Sequence, residues 1–126
     1  MVEKKNCWGY ELLVDCGAAD KLAITSEQNI SNFSKELVDK IEMVAYGDPW
    51  IKYFATHDPA KGGFTLFQAI ETSAIVAHFV SNDGSMFLDV HSCKWFNTDT
   101  VLEVIQKYFK PERINHRFVY REVPQP

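Results

Sequence analysis

The order of apolar and polar residues along the chain predicts a mixture of strands and helices. Apolar and polar residues alternate over residues 8–15, and this period of two predicts a strand with one buried face. From Ser26 the apolar residues instead recur every three to four positions, which predicts a helix over about residues 26–43 with Ser26 as its cap. A second helix is predicted from Thr98 to the stop at residues 110–111.

The remaining apolar segments predict more strands. They are bounded by turn residues, and Asp83 and Gly84 form a hairpin signal; the strands cover residues 50–56, 64–70, 74–80, 85–91 and 114–119. The predicted order along the chain is a strand and a helix, then several strands, then a helix and a final strand. This order predicts an α+β fold, a two-layer sandwich with an antiparallel β-sheet and two main helices on one face. We expect a single domain over residues 1–126, because the chain shows no repeat or linker.

Composition excludes several classes of protein. The net charge is −4 with no basic block, which argues against nucleic-acid binding. The apolar runs are much shorter than the roughly 20 residues that a membrane-spanning helix needs. The first residues contain charges but no apolar stretch of the kind that a secretory signal carries, so the expected location is the cytoplasm.

Cysteine and histidine spacings argue against a metal site. The three cysteines form no C-x-x-C pair, so neither a disulfide framework nor a zinc ribbon is predicted. The four histidines lack the spacing of a helical zinc site. We therefore expect no metal, and any function of a cysteine must come from a single thiol.

One β-rich stretch contains a hydroxyl, an imidazole and a thiol: Ser73, His78 and Cys93. It resembles the short prokaryotic S-adenosylmethionine decarboxylases, whose signature is Glu-Ser-His, three residues, His-Thr-Trp-Pro-Glu, and later Phe-Thr-Cys-Gly. The spacings of all three residues agree with that signature without a gap. Thr65 falls where the family has a hydroxyl residue that helps processing, and residues 9–15 resemble the family's first strand.

The resemblance implies a pyruvoyl enzyme that makes its own cofactor. Cleavage between Thr72 and Ser73 would convert Ser73 into a pyruvoyl group, which can form a Schiff base with a substrate amine and accept electrons on decarboxylation. His78 would promote the cleavage and Cys93 would donate a proton to the substrate, with His91 as the next candidate donor. The expected enzyme is a homodimer that decarboxylates S-adenosylmethionine and supplies the aminopropyl donor for spermidine synthesis. No external cofactor is implied.

The substrate contacts of the family are only partly present. Where the family has Trp and Glu after the histidine, this chain has Val80 and Asn82, which lack an aromatic face and a charge. In the family the Trp helps to stack on adenine and the Glu binds the ribose hydroxyls. We expect Phe54 or Phe64 to supply a stacking face, and Asn82 to lie at the substrate.

Two alternative functions follow from these departures. A pyruvoyl decarboxylase of a basic amino acid, ornithine or arginine, is suggested by the missing adenine and ribose contacts. A non-cleaving relative that acts as a binding or regulatory partner is suggested by Thr72 and Ala74, which replace the Glu and His beside the serine. Because strict alternation puts Ser73 and His78 on opposite faces of a strand, we expect Ser73 to lie in a turn or bulge with a strained peptide.

Overall fold

The computed structural model describes residues 2–126, and within that range the chain forms six strands and three helices. The strands and helices follow one another in the order β1 (Gly9–Gly17), α1 (Lys21–Ile24), α2 (Glu27–Lys40), β2 (Trp50–Phe54), β3 (Gly63–Ile70), β4 (Ser73–Val80), β5 (Ser85–Ser92), α3 (Thr98–Phe109) and β6 (Arg113–Arg121).

The six strands form one antiparallel sheet in the order β2-β3-β4-β5-β1-β6. Strands β2 to β5 form a meander, and the β4–β5 turn contains the hairpin signal of Asp83 and Gly84. The first strand of the chain lies between β5 and β6, so the sheet is completed by elements from both ends of the sequence. The predicted α+β class is confirmed, and the predicted strands are found within a few residues of their expected bounds.

The helices cover one face of the sheet, where the core lies. Along β1 the side chains of Tyr10, Leu12 and Val14 are buried in alternation, as a half-buried strand requires. Phe109 of α3 contacts Phe79 of β4 and Phe33 of α2, with ring centroids 5.1 and 4.8 Å apart. These rings join both helices to the sheet.

Two local features differ from the sequence prediction. The short helix α1 was not predicted, because four residues are too few to show a helical period; Asp20 caps it by accepting from the N–H groups of Leu22 and Ala23. Helix α2 ends at Lys40 rather than near residue 43, and Glu42 just beyond it has a φ of 60°. The predicted cap is confirmed, since the Ser26 side chain accepts from the Asn29 N–H.

The other face of the sheet, called the open face below, is not covered by helices and is rich in apolar side chains. Phe67 and Phe87 are 48% and 49% exposed there. Because paired residues on neighbouring strands share a face, the register assigns several further large apolar side chains to it, namely Trp50, Phe54 and Val119.

Candidate active site

Ser73 is the first residue of β4, directly after a two-residue turn. It pairs with Ile70 across the β3–β4 hairpin and with Ser92 on β5, so the turn consists of Glu71 and Thr72. The expected position of Ser73 in a turn or bulge is therefore wrong, because Ser73 is regularly paired within the strand. The strained peptide is not found either, since neither Thr72 nor Ser73 has a positive φ. The regular register leaves Ser73 and His78 on opposite faces of the sheet.

The peptide bond between Thr72 and Ser73 lies against the segment that carries the predicted thiol. The backbone N–H of Cys93 donates to the carbonyl oxygen of Thr72 at 3.1 Å, and the Cys93 side chain is exposed. Strand β1 passes close to this segment, because a Cβ on Gly9 would lie 3.3 Å from the Ser92 carbonyl oxygen. The glycine permits this close approach.

The Ser73 hydroxyl is free. Among residues 2–126 no hydrogen bond is formed by Ser73 Oγ, whereas the neighbouring Thr72 hydroxyl accepts one from Ser92 and donates one to Met43 Sδ. A free hydroxyl beside a carbonyl that is already hydrogen-bonded has the groups that an N-to-O acyl shift requires.

The other two predicted processing residues contact each other directly. Thr65 and His78 are cross-strand partners on the open face, and Thr65 Oγ1 lies 2.7 Å from His78 Nδ1. His78 Nε2 lies 2.6 Å from the carbonyl oxygen of Lys61. Because a carbonyl only accepts, Nε2 carries the proton, and the Thr65 hydroxyl donates to Nδ1.

The candidate residues therefore form two groups at opposite ends of β4. Ser73, Thr72 and Cys93 lie at one end; Thr65 and His78 lie toward the other. Five residues of an extended strand separate Ser73 from His78, about 16 Å between their Cα atoms. Within a single chain the imidazole is too far from Ser73 to act on it.

The predicted substrate-binding residues lie near the His78 end of the sheet. Phe54 pairs with Gly63 at the start of β3, and its ring is partly exposed. Phe64 is half-buried and packs edge-on against Tyr53, with centroids 5.0 Å apart. Asn82 lies in the β4–β5 turn and lines a cavity of about 430 Å³. None of these three residues lies at the Ser73 end of β4.

Near Ser73 the sequence named only His91, as a second candidate proton donor, and missed the cavity that His91 forms with Trp8. Trp8 and His91 line a cavity of about 150 Å³, and their ring centroids are 6.3 Å apart. His91 pairs with Ala74, the residue after Ser73, and its Nε2 is buried without a partner among the described residues. The sequence signal was weak, because Trp8 was assigned only to the alternating pattern of the first strand.

The open face also carries a carboxyl with a perturbed pKa. Burial raises the pKa of Asp89 above its usual range, and the carboxylates of Glu11 and Asp15 on the neighbouring strand raise it further. The nearby His91 lowers the pKa of Asp89 by a smaller amount. The charged form of Asp89 is thus disfavoured both by burial and by its acidic neighbours.

The described part of the chain contains neither a metal-binding cluster nor a membrane-spanning helix. Over residues 2–126, no group of three or more His, Cys, Asp or Glu side chains is arranged to hold a metal ion. No helix in the same range has the length and apolar character needed to cross a membrane.

Comparisons with known proteins identify the family. The family model described as S-adenosylmethionine decarboxylase matches residues 10–122. The crystal structure of the adenosylmethionine decarboxylase from Aquifex aeolicus VF5 is similar, with a TM-score of 0.78 and 18% identity over 96% of each chain. No curated protein sequence matches this chain.

These findings define first an α+β fold of the decarboxylase type, since a likeness at 18% identity shows the fold alone. The family model covers most of the chain and goes further. The chain belongs to the S-adenosylmethionine decarboxylase family, so the resemblance stated from Ser73, His78 and Cys93 is confirmed. The enzyme class implied by that resemblance, a carboxy-lyase of S-adenosylmethionine, is confirmed at the level of the family.

Proposed function

We propose that this chain cleaves itself between Thr72 and Ser73 and then uses the resulting pyruvoyl group to decarboxylate S-adenosylmethionine, supplying the aminopropyl donor for spermidine synthesis. One observation carries the proposal. The carbonyl that must be attacked is hydrogen-bonded by the Cys93 N–H, and the adjacent Ser73 hydroxyl has no competing partner among residues 2–126.

The first step is an acyl shift. Ser73 Oγ attacks the carbonyl carbon of Thr72 and forms a C–O bond, while negative charge develops on the carbonyl oxygen. The Cys93 N–H stabilises that charge, in the manner of an oxyanion hole. The C–N bond then breaks, the nitrogen of Ser73 takes up the hydroxyl proton, and the chain is joined by an ester.

The second step is an elimination that divides the chain. A base removes the Cα proton of Ser73, the Cβ–O bond breaks, and Thr72 leaves as the carboxylate at the end of the first fragment. The dehydroalanine left at position 73 isomerises to an imine, and water replaces its nitrogen, which leaves as ammonia. The product is a pyruvoyl group at the start of the second fragment.

The Thr65–His78 pair is suited to the role of base. The Thr65 hydroxyl donates to His78 Nδ1, so its oxygen can accept a new proton while passing its own to the imidazole. The distance of about 16 Å along β4 prevents this within one chain. A second copy is therefore needed to bring its own Thr65 and His78 to Ser73.

The open face supports a homodimer as the working form. Thr65 and His78 lie on it, among exposed aromatic side chains that include Phe67 and Phe87. Exposed aromatic side chains in mutual contact, such as Trp50 and Phe67, mark an interaction surface. Packing two such faces together would bury the aromatic side chains and carry the Thr65–His78 pair of one copy to the Ser73 end of its partner's β4. Because the Ser73 side chain lies on the other face there, the pair would have to act on the backbone Cα proton of Ser73.

Substrate chemistry requires an electron sink and a proton donor. The pyruvoyl group supplies the electrophilic carbonyl that accepts the electrons released with carbon dioxide. The backbone of Cys93 contacts Thr72, the residue before Ser73, and the exposed Cys93 thiol would return a proton to the substrate carbon. Phe54 on the open face and Asn82 in the β4–β5 turn would bind substrate across the dimer, since they lie toward the His78 end of β4, whereas Phe64 packs against the core on the helix side.

Two further inferences concern the setting of the enzyme. The cytoplasm is the expected compartment, supported by three cysteines that are all free thiols. The cofactor is expected to come from Ser73 alone. The hairpin favours formation of the pyruvoyl group, because it places the attacking hydroxyl of Ser73 next to the hydrogen-bonded carbonyl of Thr72.

Intact mass of the purified protein tests self-cleavage. We expect two fragments that meet between residues 72 and 73, and a carbonyl that borohydride reduces. Ser73→Ala should stay whole, because no hydroxyl remains to attack. Ser85→Ala is a matched control, since Ser85 is likewise the half-buried first residue of its strand. A wild-type chain that stays whole after long incubation would leave a non-cleaving binding partner as the function.

Release of carbon dioxide tests the substrate. S-adenosylmethionine, ornithine and arginine, each labelled at the carboxyl carbon, should be compared on the same cleaved preparation. We expect the adenosyl substrate to be decarboxylated fastest. Activity confined to ornithine or arginine would keep the pyruvoyl chemistry but replace the substrate, and would explain the absence of the family's Trp and Glu.

A further inference from the structure

A buried serine next to the site holds the residue whose peptide bond would break. Ser92 is 0% exposed and pairs with Ser73 across β4 and β5. Its hydroxyl donates to Thr72 Oγ1 at 2.8 Å and accepts from the backbone N–H of Lys94 at 2.9 Å. Thr72 is therefore held by its side chain as well as by the bond from the Cys93 N–H to its carbonyl oxygen.

Two of these bonds, from the consecutive residues Ser92 and Cys93, act on Thr72, and the third, from the N–H of Lys94, holds the Ser92 hydroxyl. Lys94 is itself fixed, because its Nζ donates to the carbonyl oxygen of Glu42 at 2.6 Å. In a two-residue turn, rotation about the backbone of Thr72 would swing its carbonyl away from the Cys93 N–H. A side-chain bond at Thr72 opposes that rotation.

We propose that Ser92 is a positioning residue for self-cleavage: through the Thr72 hydroxyl it keeps the carbonyl of Thr72 on the N–H of Cys93. The inference rests on the proposed self-cleavage and names a residue that the family resemblance does not assign. It also accounts for a departure from the family pattern. Where the family has a glutamate before the serine, this chain has a neutral threonine, which fits a buried neutral hydroxyl without the cost of burying a charge.

Variants at both ends of this hydrogen bond test the inference. The rate at which the two fragments appear should be measured for Ser92→Ala, Thr72→Val and the double variant, with hydroxylamine added in parallel to trap the ester. We expect each single variant to cleave about fivefold more slowly, the usual worth of one hydrogen bond. The double variant should be no slower than either single one, because both remove the same bond. If hydroxylamine traps less ester in the variants than in the wild type, the lower cleavage rate is due to a slower acyl shift.

Two further variants separate positioning from general stability. Ser92→Thr keeps the hydroxyl and should restore most of the rate. Ser34→Ala is the matched control, because Ser34 is also 0% exposed but bonds Gln68 in another part of the core. It should cleave at the wild-type rate with a melting temperature close to that of Ser92→Ala. If Ser92→Ala does not fold, Thr72→Val still tests the same hydrogen bond, because Thr72 lies in a turn and is only half-buried.

The inference is overturned if Ser92→Ala cleaves at the wild-type rate, if Ser34→Ala slows cleavage equally, or if the two single effects add in the double variant. Failure of the proposed function looks different. In that case the wild-type chain itself neither cleaves nor yields an ester that hydroxylamine traps, and the role of Ser92 falls with it.

Discussion

The N–H of Cys93 and the carbonyl oxygen of Thr72 form a backbone hydrogen bond of 3.1 Å, while the Cys93 thiol is exposed. One residue thus offers two separate groups to the proposed reaction. The N–H faces the peptide bond that would break, and the side chain is available to a substrate. Self-cleavage and turnover should therefore depend on different atoms of Cys93.

Cys93→Ala should cleave itself normally and turn over poorly. The alanine keeps the N–H, so the acyl shift retains its hydrogen-bond donor. Loss of the thiol should lower turnover by about 10²–10⁴-fold, the usual worth of a positioned general acid. The measurement is fragment formation by mass and carbon dioxide release on the cleaved protein. Misplaced protonation would also transaminate residue 73 and leave alanine at the new N-terminus.

Cys93→Pro is the complementary change, because it removes the backbone donor. Its cleavage should be slower than that of Cys93→Ala, and a thermal melt shows whether both variants are folded. Equal cleavage in two folded variants would mean that the N–H does not stabilise the acyl shift. Normal turnover in Cys93→Ala would mean that another group donates the proton to the substrate. His91 is the next candidate, since its Nε2 is buried without a partner in residues 2–126.

Mixed dimers should reveal whether the site is shared between copies. Ser73→Ala and His78→Ala chains should each stay largely whole when expressed alone. When they are co-expressed with different tags, one site of the mixed dimer combines the intact Ser73 of one chain with the intact His78 of the other. We expect the His78→Ala chain to be cleaved in the mixture, and mass of the separately tagged chains measures it.

A site within one chain gives the opposite result. The His78→Ala chain would then stay whole in every mixture, since its own imidazole is missing. Co-expression of His78→Ala with wild-type protein is the positive control, because a wild-type partner also supplies His78.

A charge on the open face should disrupt the dimer. Phe67 is 48% exposed on that face, and Phe67→Asp would place a carboxylate among apolar side chains that we expect to be buried between copies. Sedimentation should show a dimer for the wild type and a monomer for the variant, with slower self-cleavage. Leu22→Asp is the control, because Leu22 is more exposed still, at 84%, but belongs to α1. Equal sedimentation of both variants would argue against the open face as the interface.

The sequence predicted the order of the elements because each carries a local signal. The period of two before Gly17 and the helical period after Ser26 depend only on neighbouring residues. Residues 73, 78 and 93 were found because their spacing resembles the signature of a known family. Helix α1 was missed because four residues are too few to carry a period.

The geometry of the site depended on register, which local patterns do not specify. The expected bulge at Ser73 assumed that Ser73 and His78 act together in one chain, and the regular pairing of β4 excludes this. The contact between Thr65 and His78 and the bond from Cys93 to Thr72 both follow from strand pairings. These join residues far apart in sequence and are fixed by packing of the whole sheet.

The pH dependence of stability should carry a contribution from Asp89. Its pKa is raised in the folded protein, first by burial and then by Glu11 and Asp15, so the folded state binds its proton more tightly than the unfolded state does. Stability must then fall as pH rises from the usual carboxyl range, near about 4, through the raised value, and stay reduced above it. Asp89→Asn should remove this loss and stabilise the fold at neutral pH.

Denaturant unfolding across this pH range measures the effect, with Asp83→Asn as a control of opposite sign. The N–H of Ser85 donates to Asp83 Oδ1 at 2.9 Å and lowers the pKa of Asp83, so its contribution appears as pH rises through that lowered value. Asp83→Asn should therefore lose stability at neutral pH while Asp89→Asn gains it. Below the usual carboxyl pKa, Asp89 in the wild type is protonated and therefore uncharged, like the Asn of the variant. A gain in stability for Asp89→Asn that persists unchanged there would point to packing instead.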